Sequence, residues 1–318
     1  MSPAGVYIGS VMNMPAGPSG PEDLAGTVAI VTGAGNGIGR SEALSLAARG
    51  AAVVVNDLGG EAAATVAAEI AAGGGRAVAG NADVSDWKAC AGLVEQALDA
   101  FGRLDILVTN AGIVRRGPIA EVTEDDLDAQ VAVLFKGTYG MVRHVAALWR
   151  DSRDSRGAGS GHRTMVLTSS SAGVPGGVQE FSVYGAMKAG IAALALGAAL
   201  ELRPLGVTVN AILPHAATRM DSLAKGLPDY QRFAPQSLDP LNPQHVANVV
   251  AYLASARASW LSGQVFEITG TSVRRWLPWS PGAEASSERQ WTPEALDAAL
   301  ATMVYGTLPA GRVIPQRH

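Results

Sequence analysis

Thr32-Gly33-Ala34-Gly35-Asn36-Gly37-Ile38-Gly39 follows an apolar run from Val28 to Val31 and opens a helical pattern that reaches Arg49. Strand, glycine turn and helix in that order are the setting a dinucleotide-binding turn requires. Glycines allow a sharp turn and a close approach to a pyrophosphate, and the helix N-terminus offers free N–H groups and partial positive charge. In a chain with 38 glycines such a cluster is weak on its own. Far downstream, however, stand Ser169-Ser170-Ser171 and then Tyr184-Gly185-Ala186-Met187-Lys188, and the two signals reinforce each other.

Working outward, strand-like apolar runs recur at 28–32, 52–57, 77–80, 106–110, 165–169, 207–213 and 265–269. Helical patterns fill most of the gaps, at 38–49, 61–72, 86–101, 124–150, 183–203 and 243–255. Alternation of this kind predicts βαβ units and an α/β fold: a single-domain, doubly wound parallel sheet of Rossmann type with helices on both faces. Ligands of such sheets bind at the carboxyl ends of the strands. Residues 1–23 read as a flexible arm, 24–270 as the catalytic domain and 271–318 as a C-terminal extension. Arg150 to Gly157 reads as a solvated loop, and Thr123-Glu124-Asp125-Asp126 as a capped helix start.

The composition narrows the function. Of 318 residues, 48% are hydrophobic and 16% charged, enough for a buried parallel sheet. A net charge of −4 leaves no footprint for nucleic acid. No apolar run long enough to span a bilayer is legible, and the Gly-, Pro- and Ser-rich start lacks the features of a secretory signal. Cys90 is the one cysteine, which fits a reducing, cytoplasmic compartment, and its neighbours Trp87, Val94 and Leu98 predict a buried, unreactive thiol. The five histidines are scattered and form no ligand-like pair, so no metal is expected.

Tyr184 and Lys188 share one helical face. A tyrosine with a pKa near ~10 is a poor base at neutral pH. A fixed ammonium and a positive nicotinamide ring would favour the phenolate, and roughly 3–4 kcal/mol of differential interaction suffices to make it one. A serine hydroxyl at the end of the neighbouring strand can then orient a substrate oxygen.

With these residues in hand, the chain resembles the short-chain dehydrogenase/reductase family over about 24–270. Matching elements are 32–39, Asp83-Val84 after the third strand, Asn110-Ala111-Gly112 after the fourth, the serines after the fifth, and Tyr184 with Lys188. The resemblance implies hydride transfer between an alcohol and a carbonyl, with Tyr184 as acid/base and Lys188 on the nicotinamide ribose. It implies Ser170 as catalytic serine, since Ser170-Ser171-Ala172-Gly173 fits the family pattern; Ser171, closer to the usual spacing from the tyrosine, stays a rival. It further implies a cofactor site of Gly33, Asn36, Gly37, Ile38, Gly39, Asp57, Asp83, Val84, Asn110, Ala111, Gly112, Tyr184, Lys188, Pro214 and Thr218. One departure stands out: Leu134 occupies the place of an asparagine that in many members completes a proton relay through water. Leucine offers no side-chain hydrogen bond, so a relay here would use its backbone carbonyl.

Asp57 ends the second strand, where a carboxylate accepts the adenosine ribose hydroxyls and repels a 2′-phosphate, so NAD is expected over NADP. Arg40 lies past the last glycine and would compensate only weakly. The segments 54–60, 214–220 and 265–268 resemble the branch holding the (3R)-hydroxyacyl-CoA dehydrogenase domain of the peroxisomal multifunctional enzyme, as does the tail around Arg274-Arg275-Trp276 and 291–295. A 3-hydroxyacyl thioester is therefore the expected small-molecule substrate, with Arg219, Arg274 and Arg275 as candidates for CoA phosphates. A hydroxysteroid or other bulky secondary alcohol is the alternative, and a non-catalytic dinucleotide sensor a third reading. Residues 216–240, with Met220, Leu223, Leu227, Tyr230 and Phe233, read as a lid over an apolar pocket or as ordinary packing. The resemblance also implies a homodimer or homotetramer, built through helices 124–150 and 183–203. Trp276, Leu277, Trp279 and Trp291, with a helix opening at Thr292-Pro293-Glu294, predict an ordered tail.

Overall fold

The computed structural model describes residues 23–152, 162–217, 233–234, 236–277 and 283–305. The N-terminal arm, most of the 150–157 loop, Thr218, Arg219, most of the expected lid and Trp279 lie outside the described residues. The chain divides into two compact units after Trp276.

The first unit is built on one eight-stranded sheet in the order β3-β2-β1-β4-β5-β6-β7-β8. The strands are β1 (Val28–Thr32), β2 (Ala52–Asn56), β3 (Arg76–Gly80), β4 (Ile106–Thr109), β5 (Arg163–Thr168), β6 (Val207–His215), β7 (Val265–Thr269) and β8 (Ser272–Trp276). All neighbours are parallel except β7 and β8. Central strands such as β1 and β2 are buried at every residue, which explains why they read as unbroken apolar runs rather than as alternation. Val31 lies beside Val55 of β2 on one side and Val108 of β4 on the other. Strand order reverses at β1/β4, the place where such sheets open a ligand crevice.

Helices α1 (Gly37–Ala48), α2 (Gly60–Ala72), α3 (Trp87–Phe101), α4 (Glu124–Gln130), α5 (Gly137–Asp151), α6 (Ser182–Leu202) and α7 (Gln244–Ala254) follow the predicted alternation. One apolar layer joins α1, α2 and α7 to the sheet; a second joins α3, α5 and α6 to its other face. Cys90 is buried in the second layer, and burial together with Asp86 and Asp83 pushes its thiol up to about 11. Thr123 caps α4 as expected, its Oγ1 accepting from the Asp126 N–H at 3.1 Å.

Three departures from the sequence reading have physical content. The helix expected over 124–150 is interrupted by a π-helical turn at Val131–Lys136. An eighth strand extends the sheet past Gly270: Gly270 adopts φ 54° in a two-residue turn that folds β8 back on β7, with Thr269 facing Ser272. The expected domain boundary at 270/271 therefore falls inside a hairpin. Finally, α6 is long and apolar enough to cross a bilayer by length and composition, although no single apolar run is. Its Ile191, Ala192, Ala195, Ala198 and Ala199 are instead buried in the layer against the sheet.

The second unit contains α8 (Pro293–Tyr305), opened as predicted by Thr292, whose Oγ1 accepts from the Ala295 N–H at 3.2 Å. Leu296 and Leu300 on it are exposed.

One buried residue of α1 violates the apolar pattern. Glu42 on α1 has no exposed surface, and neither carboxylate oxygen has a hydrogen-bond partner among the described residues. Burial raises its pKa from 4.5 to about 8, so the proton stays on at neutral pH. The unfolded chain releases that proton near pH 4.5 and the folded chain near 8, so this group erodes stability as pH rises between those values and no further above them. Glu42→Leu should remove about 3 kcal/mol of stability loss between pH 5.5 and pH 8, read from denaturant unfolding of both proteins at the two pH values. A variant with the parent's pH slope would place the charge elsewhere.

Candidate active site

The glycine turn after β1 and the Asn110-Ala111-Gly112 turn after β4 meet at the point where strand order reverses. Thr32 Oγ1 accepts from the N–H groups of both Asn110 and Ala111 at 3.1 Å. The Asn110 side chain returns two bonds, to the carbonyls of Thr32 at 3.2 Å and Gly33 at 3.0 Å. Gly33 has φ 63°, and a Cβ there would stand 2.7 Å from Ala111 Cα. A Cβ on Gly39 would collide with the Gly33 carbonyl and the Asn110 side chain. Two motifs read separately are thus one interlocked floor on which only bare backbone fits.

Around it the other expected cofactor residues take their places. Gly37, Ile38 and Gly39 form the buried first turn of α1, preceded by Asn36, with no acidic side chain there to offset the helix dipole. Asp57 follows β2; its Oδ2 accepts from the Gly35 N–H and its Oδ1 from the Gly59 N–H, each at 2.9 Å. The carboxylate is therefore fixed against the glycine turn. Arg40 is engaged elsewhere, donating to both oxygens of Glu69 at 2.7 and 2.6 Å. Asp83 is exposed beyond β3 and accepts from Ser85, while Val84 is buried against Gly137. Pro214 lies near the carboxyl end of β6, paired with Ile268. This floor of N–H groups, bare glycines and one fixed carboxylate fits a dinucleotide.

Beside it, the loop leaving β5 carries Ser170 and Ser171, and α6 carries Tyr184 and Lys188. The loop leaving β5 crosses α6 with backbone almost touching backbone: a Cβ on Gly173 would stand 2.8 Å from the Gly185 carbonyl, and one on Gly185 2.8 Å from that of Ala172. Ser169 Oγ is buried and donates to the Lys188 carbonyl at 2.6 Å, so it serves this junction. Ser170 Oγ accepts from the Ala172 N–H at 3.2 Å and keeps its own proton to donate. Lys188 is buried; its Nζ donates to the Thr168 carbonyl at 2.7 Å and lies 5.7 Å from the Tyr184 ring centre. Burial lowers its pKa to about 8.

Leu134 is buried in the π-helical turn, and its Cδ2 would meet a Cβ on Gly112 at 3.1 Å; the same Cβ would be 3.9 Å from Lys188 Nζ. The leucine that replaces the relay asparagine thus packs under the Gly112 turn, close to the lysine.

Other features beside the site carry no local sequence pattern. Arg116 pairs with Glu180, joining the loops that leave β4 and precede α6. His215 Nε2 bonds Glu267 Oε1 at 3.0 Å, and Glu267 Oε2 accepts from Arg274 Nη1 and Trp276 Nε1, each at 2.9 Å. Arg274, expected to meet CoA phosphates, is thus already paired with a carboxylate.

Comparison with known proteins bears on this geometry. A family model described as Enoyl-(Acyl carrier protein) reductase matches residues 33–270. The chain is 40% identical to hydroxyacyl-CoA dehydrogenase ChsB1 of Mycobacterium tuberculosis, over 90% of this chain and 91% of that one. It is 36% identical to versicolorin reductase stcU of Emericella nidulans, over 79% of this chain and 97% of that one. It is also 36% identical to peroxisomal multifunctional enzyme A of Dictyostelium discoideum, of which it covers 52%. A crystal structure of a short chain dehydrogenase from Mycobacterium avium superposes with a TM-score of 0.81 at 40% identity, covering 92% of this chain and 99% of that one. The interlocked glycine floor, the Tyr184–Lys188 pair at the end of β5 and these matches together place the chain in the short-chain dehydrogenase/reductase family.

Proposed function

We propose that this oxidoreductase interconverts a secondary alcohol and a ketone with NAD, and that its substrate is a 3-hydroxyacyl thioester. The observation that carries the reading is the buried Lys188 ammonium, tied to the end of β5 and set beside Tyr184 at the edge of the dinucleotide floor. A positive charge held there favours the tyrosinate, the form that accepts a proton from an alcohol. In the direction of oxidation Tyr184 takes the hydroxyl proton while Ser170 donates a hydrogen bond to the same oxygen; in reduction Tyr184 returns the proton. Gly33, Asn36 to Gly39, Asp83, Val84, Asn110 to Gly112, Lys188, Pro214 and Thr218 would hold the nicotinamide dinucleotide, which when bound accepts or delivers the hydride. The fixed Asp57 carboxylate, which would repel a 2′-phosphate, and the engagement of Arg40 by Glu69 support NAD.

The thioester substrate is supported by relatives named hydroxyacyl-CoA dehydrogenase and peroxisomal multifunctional enzyme. The name versicolorin reductase favours a second reading, a bulky polycyclic secondary alcohol or ketone. NADH formation over a panel of 3-hydroxyacyl-CoA chains and steroid alcohols separates the two: turnover confined to the steroids would reverse the assignment.

Tyr184→Phe should lower kcat by ~10³-fold or more while cofactor still binds, since general acid–base catalysis alone contributes about 10²–10⁴. Turnover within tenfold of the parent would remove Tyr184 from the chemistry. Asp57→Ala should narrow the NAD-to-NADP preference in kcat/KM by one to two orders of magnitude, on the order of 1.4–2.8 kcal/mol. An unchanged ratio would mean that another group reads the ribose.

A further inference from the structure

Glu180 is the one described residue other than glycine with positive φ, at 65°. A side chain is disfavoured in that region and persists where its surroundings hold it. Here two contacts hold it, both from the loop that leaves β4. The Gly117 N–H donates to the Glu180 carbonyl at 3.1 Å, and Arg116 Nη2 donates to Glu180 Oε2 at 3.1 Å.

The guanidinium does a second thing. Its central carbon lies 4.9 Å from the centre of the Phe181 ring, a cation–π contact. The Phe181 and Tyr184 rings meet edge to face, with centres 5.8 Å apart and planes at 75°. Phe181 also caps α6, its carbonyl accepting from the Gly185 N–H at 2.7 Å. An unbroken series of contacts therefore runs from Arg116 through Glu180 and Phe181 to Tyr184. Gly176 and Gly177, both with positive φ, precede it, so the loop has little stiffness of its own to hold Phe181 in place. With side chains 38% and 41% exposed, the Arg116–Glu180 pair contributes little to global stability. What its guanidinium touches is the ring beside the tyrosine.

We propose that Arg116, paired with Glu180 and stacked on Phe181, is a positioning residue that holds the aromatic edge against which Tyr184 is aligned. The proposal rests on Tyr184 being the acid/base. Proton transfer requires the phenol oxygen within hydrogen-bond reach of the substrate oxygen. A tyrosine ring free to swing would spend part of its time outside that reach, and Phe181 restricts the swing only while it is itself held.

The test compares R116A, R116M, R116K and E180G with the parent, reading kcat and KM separately, NADH affinity by fluorescence, and Tm. R116M keeps the apolar stem and loses the charge; E180G keeps the left-handed backbone and loses the carboxylate. An exposed ion pair and one cation–π contact together can bias the aligned state by about fivefold to thirtyfold. R116A and R116M should lose kcat by that factor with KM, NADH affinity and Tm little changed, R116K should fall between them and the parent, and R116A/E180G should lose less than the product of the single losses. A kcat for R116M within twofold of the parent, a loss confined to KM or Tm, or losses that multiply in the double variant would each overturn the proposal. Y184F is measured alongside. Loss in Y184F with an unchanged R116M defeats the positioning role alone, whereas an unchanged Y184F defeats the acid/base reading and the positioning role with it.

Discussion

The bond from Lys188 Nζ to the Thr168 carbonyl is the constraint on which the rest of the site depends. A buried ammonium with no partner costs several kcal/mol, and here one strong acceptor at the mouth of β5 meets part of that cost. The bond fixes α6 to the end of the sheet at one point, and Ser169 Oγ fixes it at a second by reaching the Lys188 carbonyl. Gly173 and Gly185 make the approach close enough for both bonds, because a side chain at either position would hold helix and loop apart. Tyr184, one helical turn before Lys188, takes its position from these contacts before any substrate arrives. Preorganisation of this kind means that the geometry need not be assembled during the reaction.

The dinucleotide floor follows the same logic on the other side of the reversal in strand order. Thr32 and Asn110 end neighbouring strands and satisfy each other's turns with four hydrogen bonds. Each turn alone would leave backbone groups exposed and mobile; joined, they present a rigid surface. Asp57 extends the surface by binding the N–H groups of Gly35 and Gly59, so the carboxylate proposed to read the ribose is also part of the scaffold that bears it.

What the sequence made legible and what it hid divide along a physical line. Central strands such as Val28–Thr32 and Ala52–Asn56 are buried on both faces, so their apolar runs are dense and their neighbours, glycine turn and helix, are local in the chain. Tyr184 and Lys188 share a helix, so their pairing needs only the helical repeat. β8 escaped notice because Ser272 to Arg275 lie exposed on a sheet edge and carry no core pattern; the one local mark is the glycine of its tight turn. The π-helical turn escaped because nothing in Val131–Lys136 departs from an ordinary helical composition. Arg116 and Glu180 are 64 positions apart, and neither sits in a motif, so only the folded chain brings them together. Glu42 reads from its residue type as a helix-surface carboxylate, and burial gives it the opposite character.

Leu134 shows how the departures from pattern concentrate. A side chain that can hold water is replaced by one that cannot, at a position buried beneath the Gly112 turn and near Lys188. The same residue lies in the π-helical turn, and such turns gather where function places unusual demands on a helix. Lys188 is itself buried, and burial is what brings its pKa down to about 8. A lysine so placed sheds its proton more readily than an exposed one, while its Nζ stays tied to the Thr168 carbonyl at 2.7 Å. With a leucine there in place of a hydrogen-bonding side chain, contacts on the Tyr184 ring include the Lys188 ammonium at 5.7 Å and the Phe181 ring at 5.8 Å, and the Arg116 guanidinium lies 4.9 Å from the Phe181 ring centre in turn.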